Sequence, residues 1–441
     1  MRIILALLLC NSASLAMKAG LARVNITPQG PIMMAGYASR DHESEGVRQQ
    51  LYAKALAIED ARGHRSVMVT FDLVGMPRNV ADPIAERAEK QYGLKRDQLL
   101  LNCSHTHSGP IVGYRERTSY RLTDAQEAVV RRYADRLIAQ TLEVIGAALK
   151  DLSPANLSVD IANTGFAVNR RRVTAASRHY PQPVDHDALV IAVRDTNGKL
   201  RGVVFGYACH ATVLSDYQIN GDWPGFAQEE IEKAHPGAIA LFMAGCGADQ
   251  NPLPRRKVEL AQTYGKVMQE AVTIALNGKM KPLDDNILTA FERVPVPFDA
   301  HPSREEWLRR TKDSDSNLAR HAERMLAILD KDGKLPESYP YAVQVWRFGN
   351  SFTLVALAGE VVVDYSLRLR AQHGWNNTWV ASYSNDVFAY IPSLRVLKEG
   401  GYEGATAMIP YGLPGPFAPA VEEIIVHKVD QLIHRTVSEM R

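Results

Sequence analysis

Gln98-Leu99-Leu100-Leu101-Asn102-Cys103-Ser104-His105-Thr106-His107-Ser108-Gly109-Pro110 is the stretch from which the fold can be read. An apolar run of strand length passes into Ser-His-Thr-His and is stopped by Gly-Pro, the form of a buried strand that carries polar groups at its end. The same alternation extends outward from it. Residues 51–60 and 65–75 read as a hairpin and 79–93 as a helix, and Thr123-Asp124 opens an amphipathic helix that runs to about Lys150. A strand over 200–210 is followed by a loop at Asp222-Trp223-Pro224-Gly225, a helix over 226–235 and a strand over 238–247. Paired strands near 342–359, a helix opened by Glu360, a strand near 378–383, a glycine-rich loop over 399–415 and a helix from Pro419 complete the chain. Residues 302–331 are charged and helical without a broad apolar stripe, which suggests an exposed excursion or lid. The expectation is an α/β fold: one large domain with a mixed-sheet core flanked by helices and a site at strand C-terminal ends.

Composition narrows the function. The chain has 441 residues, 46% of them hydrophobic and 23% charged, which excludes disordered, collagenous and coiled-coil classes. Its 51 basic and 49 acidic side chains leave no cationic surplus to grip a phosphate backbone, so no nucleic-acid partner is expected. Arg2, the apolar run Ile3 to Leu9 and the small-x-small Ser14-Leu15-Ala16 have the form of a secretory signal over residues 1–16, which implies a secreted or periplasmic protein. No later stretch reaches the roughly 20 apolar residues of a membrane span, so no transmembrane segment is expected. Beyond residue 16 the cysteines are Cys103, Cys209 and Cys246, an odd number, and small buried packing residues beside a site are the favoured reading for them. Oligomeric state is left open.

Five places could carry chemistry. His105 and His107 stand two apart after a strand, and in extended backbone residues two apart share a face, so both imidazoles could reach one ion or substrate. His210 ends a second apolar strand, and Asp72 ends a third. Glu360 follows an apolar run closed by Gly359; a glutamate is electrostatically welcome at a helix N-terminus, and it could equally serve as a metal carboxylate. Two histidines and a carboxylate with one open position are the usual donors of a catalytic zinc site. The loop Gly245-Cys246-Gly247-Ala248-Asp249-Gln250-Asn251-Pro252 is small and then polar, as a tight turn or a substrate-approach loop would be. It lacks Gly-Lys-Ser/Thr, and no Gly-x-Ser-x-Gly elbow occurs, so phosphate cradling and a Ser-His-Asp hydrolase are disfavoured.

Several segments, in order, resemble the neutral/alkaline, non-lysosomal ceramidase family: AGLARVNITP (19–28), MAGYASR (34–40), SHTHSGP (104–110), VNRR (168–171), ACHAT (208–212), AGE (358–360), SNDVFAYI (384–391) and GYEGAT (401–406). The resemblance implies a catalytic Zn2+ held by His105, His210, Glu360 and Tyr390. It also implies that His107, Arg170 and Tyr402 surround the metal and grip the scissile amide. Tyr390 is a ligand that spacing would not reveal. Members hydrolyse the N-acyl bond of ceramide, so the expected partner is a small-molecule or lipid-like N-acyl substrate. The family loop Gly-Asp-x-Ser-Pro-Asn carries a serine proposed as nucleophile, and Gln250 stands in its place here. Glutamine cannot accept an acyl group, so hydrolysis by zinc-activated water is expected. Full-length members end in an immunoglobulin-like domain; residues 17–441 are expected to form the zinc hydrolase domain without one. The competing expectations are a zinc-dependent ester or phosphoester hydrolase and a non-catalytic zinc-stabilised binding protein of the same family.

Overall fold

The computed structural model describes residues 17–113, 120–172 and 182–438. The expected signal segment 1–16 lies outside them. Among the described residues, nine strands hydrogen-bond into one mixed sheet, and Ile287–Pro297, Ser338–Phe348, Phe352–Leu357 and Thr378–Ala381 form a second sheet of four.

The two sheets lie face to face because their strands are apolar on both sides. In Tyr52–Glu59, Ala53, Ala55 and Ala57 face the helices while Leu56 and Ile58 face the second sheet. The same period-2 division recurs in Asp187–Asp195, where Ala188, Val190 and Ala192 oppose Leu189, Ile191 and Val193. The second sheet contributes Trp346, Leu354 and Trp379 to the shared inner layer, and Val343, Val355 and Val380 to an outer layer covered by the helices Val363–His373 and Val421–Ser438. Small residues on the helix side and large ones between the sheets set the spacing of the layers. Truncating a buried tryptophan such as Trp379 to alanine would cost about 3–5 kcal/mol.

Most expected elements are present. The helix Asp124–Lys150 begins where the sequence signals it, with Thr123 Oγ1 accepting from Gln126 N at 3.3 Å and Gln126 Oε1 accepting from Thr123 N at 3.0 Å. That reciprocal cap contributes about 1 kcal/mol. It packs on the strands Lys18–Asn25 and Tyr52–Glu59.

Three expectations change. The helix placed over 226–235 spans Asp222–Ala234, because a proline inside the first turn, here Pro224, sacrifices no intrahelical bond. The loop expected over 399–415 contains a wide helical turn, Tyr402–Thr406, and a short helix, Met408–Tyr411. The charged excursion forms the helices Arg304–Arg310 and Ser316–Asp332, with a small core of its own around Trp307, Ala322 and Met325. All three described cysteines are free and buried.

Candidate metal centre

Two strand ends and one sheet junction build the site. Beyond Leu99–Cys103, His105 adopts a left-handed backbone with φ of 60°, a conformation that disfavours side chains other than glycine, asparagine and aspartate. The convergence of His105 and His107 thus comes from a bend at the strand end, not from the extended backbone expected there. The bend is held: Ser104 N donates to Phe71 O at 2.8 Å, His105 N to Leu73 O at 2.9 Å and His107 N to Ala211 O at 3.1 Å. Ala211 belongs to the segment that leaves the strand Leu200–Tyr207, so the same contacts bring His210 alongside. Gly36, at φ of 99°, lies against the His107 ring, and a Cβ there would come within 2.5 Å of it.

Glu360 arrives from the second sheet. Gly359 turns the chain at φ of 75°, and Glu360–Val361 pairs in parallel with Tyr390–Ile391, placing Glu360 opposite Tyr390. The helix expected to open at Glu360 begins at Val363, with Asp249 Oδ1 accepting from Val363 N at 3.0 Å. His105, His210, Glu360 and Tyr390 are all buried.

The donor atoms converge. His105 Nε2 lies 3.0 Å from His107 Nε2 and 3.1 Å from Glu360 Oε2, and His210 Nε2 lies 3.4 Å from both Glu360 Oε2 and Tyr390 Oη. Ligating atoms of His105, His107 and His210 all lie within 4.8 Å of one another. His105 Nδ1 donates to Val74 O at 2.5 Å and His210 Nδ1 to Gly247 O at 2.7 Å. A carbonyl only accepts, so each Nδ1 carries the proton and each Nε2 turns a lone pair inward. Glu360 Oε2 has no hydrogen-bond donor. Lone pairs and an unpartnered carboxylate oxygen aimed at one point repel one another unless a cation sits among them. Four donors at about 2.0–2.1 Å around zinc would be about 3.3 Å apart, the spacing seen here. The residues therefore fit a metal.

Electrostatics agree. Burial and the nearby Arg170 lower His210 to about 4, and burial with the two other imidazoles holds His107 well below its ordinary value, so both rings are neutral at physiological pH. Burial alone would raise Glu360, but His105 and His210 outweigh it and hold the carboxylate well below its usual range.

Arg170 continues from the strand Ala167–Asn169, which pairs with Gln250–Pro252. Its Nε donates to Glu403 at 2.6 Å and its Nη2 to Tyr390 Oη at 3.1 Å, while Nη1 lies 3.4 Å from His210 Nε2. The basic run is not solvated, since Arg171 and Arg172 pair with Glu399 and Glu403. Tyr402, 46% exposed, stands at the rim with its ring 5.2 Å from that of Tyr390, and burial of its hydroxyl together with Glu360 pushes its pKa up to about 12. A cavity of about 420 Å³ opens over the cluster, lined by His105, His107, Glu360, Tyr390, Tyr402 and Tyr411 among others, with Asp315 and Asn317 of the excursion on its wall.

Asp72, an expected contributor, and the side chain of Gln250, at the serine position, stand apart from the converging donors. Asp72 is buried but accepts from Tyr52 N and Gln228 Nε2, both at 2.9 Å, and so ties the strand Tyr52–Glu59 to the helix Asp222–Ala234. Gln250 is buried and its amide donates to Pro183 O at 3.4 Å; its backbone carbonyl accepts from His210 N at 3.0 Å. The loop 247–252 acts here through its backbone, holding His210 at two points and Arg170 N on Asp249 O at 2.8 Å. Tyr411, which donates to Glu360 Oε1, has no signal in the sequence beyond a tyrosine in a glycine- and proline-rich segment.

The family model for the neutral/alkaline non-lysosomal ceramidase N-terminal region matches residues 17–248. The chain belongs to this family. His105, His107, Arg170 and His210 fall within the ceramidase match, and Glu360, Tyr390 and Tyr402 lie beyond it. Neutral ceramidase of Drosophila melanogaster is 24% identical over 265 residues, covering 55% of this chain and 36% of the relative. Neutral ceramidase of Pseudomonas aeruginosa is 26% identical over 242 residues, covering 51% of this chain and 35% of the relative. The matched segments thus span about a third of these relatives' length. The crystal structure of the Pseudomonas aeruginosa ceramidase superposes with a TM-score of 0.75 at 18% identity, covering 95% of this chain and 74% of that one. A ceramidase complexed with C2 superposes with a TM-score of 0.72 at 16% identity, covering 95% and 76%. At these identities the likeness establishes the ceramidase fold.

Proposed function

We propose that this ceramidase-family chain is a zinc-dependent hydrolase of an amide N-acyl bond, with His105, His210, Glu360 and Tyr390 as metal ligands. One observation carries the proposal: two inward imidazole lone pairs and a carboxylate oxygen without a donor meet beneath a cavity. Zinc, when bound, supplies a Lewis acid for the carbonyl and lowers the pKa of water towards about 7. The chain's own residues do the rest. Arg170, anchored by Glu403, presents Nη1 and Nη2 towards His210 and Tyr390, where a guanidinium holds the carbonyl oxygen of the substrate and the negative charge that grows on it. His107 faces the cavity and its Nε2 moves the proton from water to the leaving nitrogen. Tyr402 at the rim orients the acyl compound. Gln250 offers no nucleophile, so attack by water proceeds without an acyl-enzyme.

The substrate is a small-molecule or lipid-like N-acyl compound, the domain extends over residues 17–441, and residues 1–16 direct export. Among the described residues no helix is long and apolar enough to cross a membrane. Hydrolysis of a panel of fluorogenic N-acyl and ester substrates, with and without chelator, tests this. Amide turnover abolished by chelator and restored by zinc is expected. Ester-only turnover, or none in zinc-loaded protein, would transfer support to the ester hydrolase or the binding protein.

A further inference from the structure

We propose that Tyr411 is a positioning residue that makes Glu360 present a single oxygen to the metal, an inference that rests on the zinc site described above. Glu360 is buried, and its two oxygens have different surroundings. Oε1 accepts the Tyr411 hydroxyl, while Oε2 faces His105 Nε2 at 3.1 Å and His210 Nε2 at 3.4 Å with no donor of its own. A carboxylate free to rotate can offer a cation either one oxygen or both. The phenol O–H occupies one oxygen and so fixes the rotation of the other. A donor to Oε1 also withdraws charge from the carboxylate and tunes the strength of the remaining oxygen.

Tyr411 is itself held from the excursion. It ends the helix Met408–Tyr411, and the carbonyls that follow accept from Ser316–Asp332: Gly412 O from Arg324 Nε at 3.1 Å and Leu413 O from His321 Nε2 at 2.6 Å. The charged excursion, read from sequence as a lid, thereby acts on the metal carboxylate through one tyrosine. The connection runs from the excursion to the backbone of 412–413, then to the phenol, then to Oε1.

The test measures zinc affinity by chelator competition for the wild type, Tyr411→Phe, Glu360→Gln and the double variant. Tyr411→Phe should bind zinc about 10–100-fold more weakly, yet add less than about twofold in the Glu360→Gln background, because its effect passes through that carboxylate. The visible absorption of the Co2+-substituted protein should weaken in Tyr411→Phe as the second oxygen becomes available. Equal losses in both backgrounds, or an unchanged cobalt spectrum with wild-type zinc affinity, would overturn the inference. Should Tyr411→Phe not fold, 3-fluorotyrosine at position 411 keeps the shape while making the phenol a stronger donor, and an unmoved zinc affinity would then overturn it. A wild type that binds no metal refutes the zinc reading instead, so the two failures are distinct.

Discussion

His210→Ala is the most direct perturbation of the proposed centre. The imidazole is buried, donates from Nδ1 to Gly247 O and turns Nε2 towards Glu360 and Tyr390. Zinc sites release about 10–16 kcal/mol on binding, so an even division among four donors assigns about 3 kcal/mol to each, or about a hundredfold in affinity. The truncation also removes the Nδ1 hydrogen bond to Gly247 O, which still accepts from Gln250 N at 3.0 Å, so the accompanying loss of stability is that of one bond, about 0.5–1.5 kcal/mol. Competition with a chromophoric chelator should therefore give a zinc Kd at least about a hundredfold weaker than wild type. Amide hydrolysis should fall in parallel. Gln250→Ala is the control, because its amide donates to Pro183 O and not to the converging donors. If His210→Ala keeps zinc within about threefold of wild type, the ligand set is wrong.

Arg170→Ala should leave zinc bound and lower kcat/KM about 10²–10³-fold, the scale of a lost oxyanion donor, and Arg170→Lys should not restore the rate because the planar fork that spans Glu403 and Tyr390 is gone; unchanged steady-state kinetics would refute it. Gln250→Ala should cost no more than about 0.5–1.5 kcal/mol in the barrier, with no burst before steady state and no hydroxamate formed with hydroxylamine, and an acylated peptide found by mass spectrometry would defeat the water mechanism. Asp386 provides a pH test: burial raises it to about 7, while Tyr339 and Arg78 N donate to it. A raised carboxyl costs stability as pH climbs from the unfolded value near 3.8 through 7, so the melting-temperature difference between Asp386→Asn and wild type should grow in favour of the variant from about pH 4 to about pH 7 and level off above it. A difference independent of pH would show that the carboxyl is not raised.

Sequence by itself determined the elements and the neighbourhood of the site. Apolar runs of strand length, the Thr123 cap and the glycine and proline stops are local signals, and the strands and the helix Asp124–Lys150 followed them. Histidines at the ends of Leu99–Cys103 and Leu200–Tyr207 marked the region, and the family likeness supplied Tyr390, Arg170 and Tyr402. Tertiary structure decided the rest. Periodicity shows that a strand is buried on both faces but not what covers each, so the division of the core between two sheets was not legible. The left-handed His105, the Glu360–Tyr390 pairing and the Tyr411 contact depend on residues tens of positions apart in the chain. Asp72 carries a carboxylate in a fitting segment, yet it is drawn into contacts with Tyr52 N and Gln228 Nε2. Which lone pairs share a point in space depends on long-range register and on backbone bends stabilised by contacts from other elements, and a sequence window contains neither.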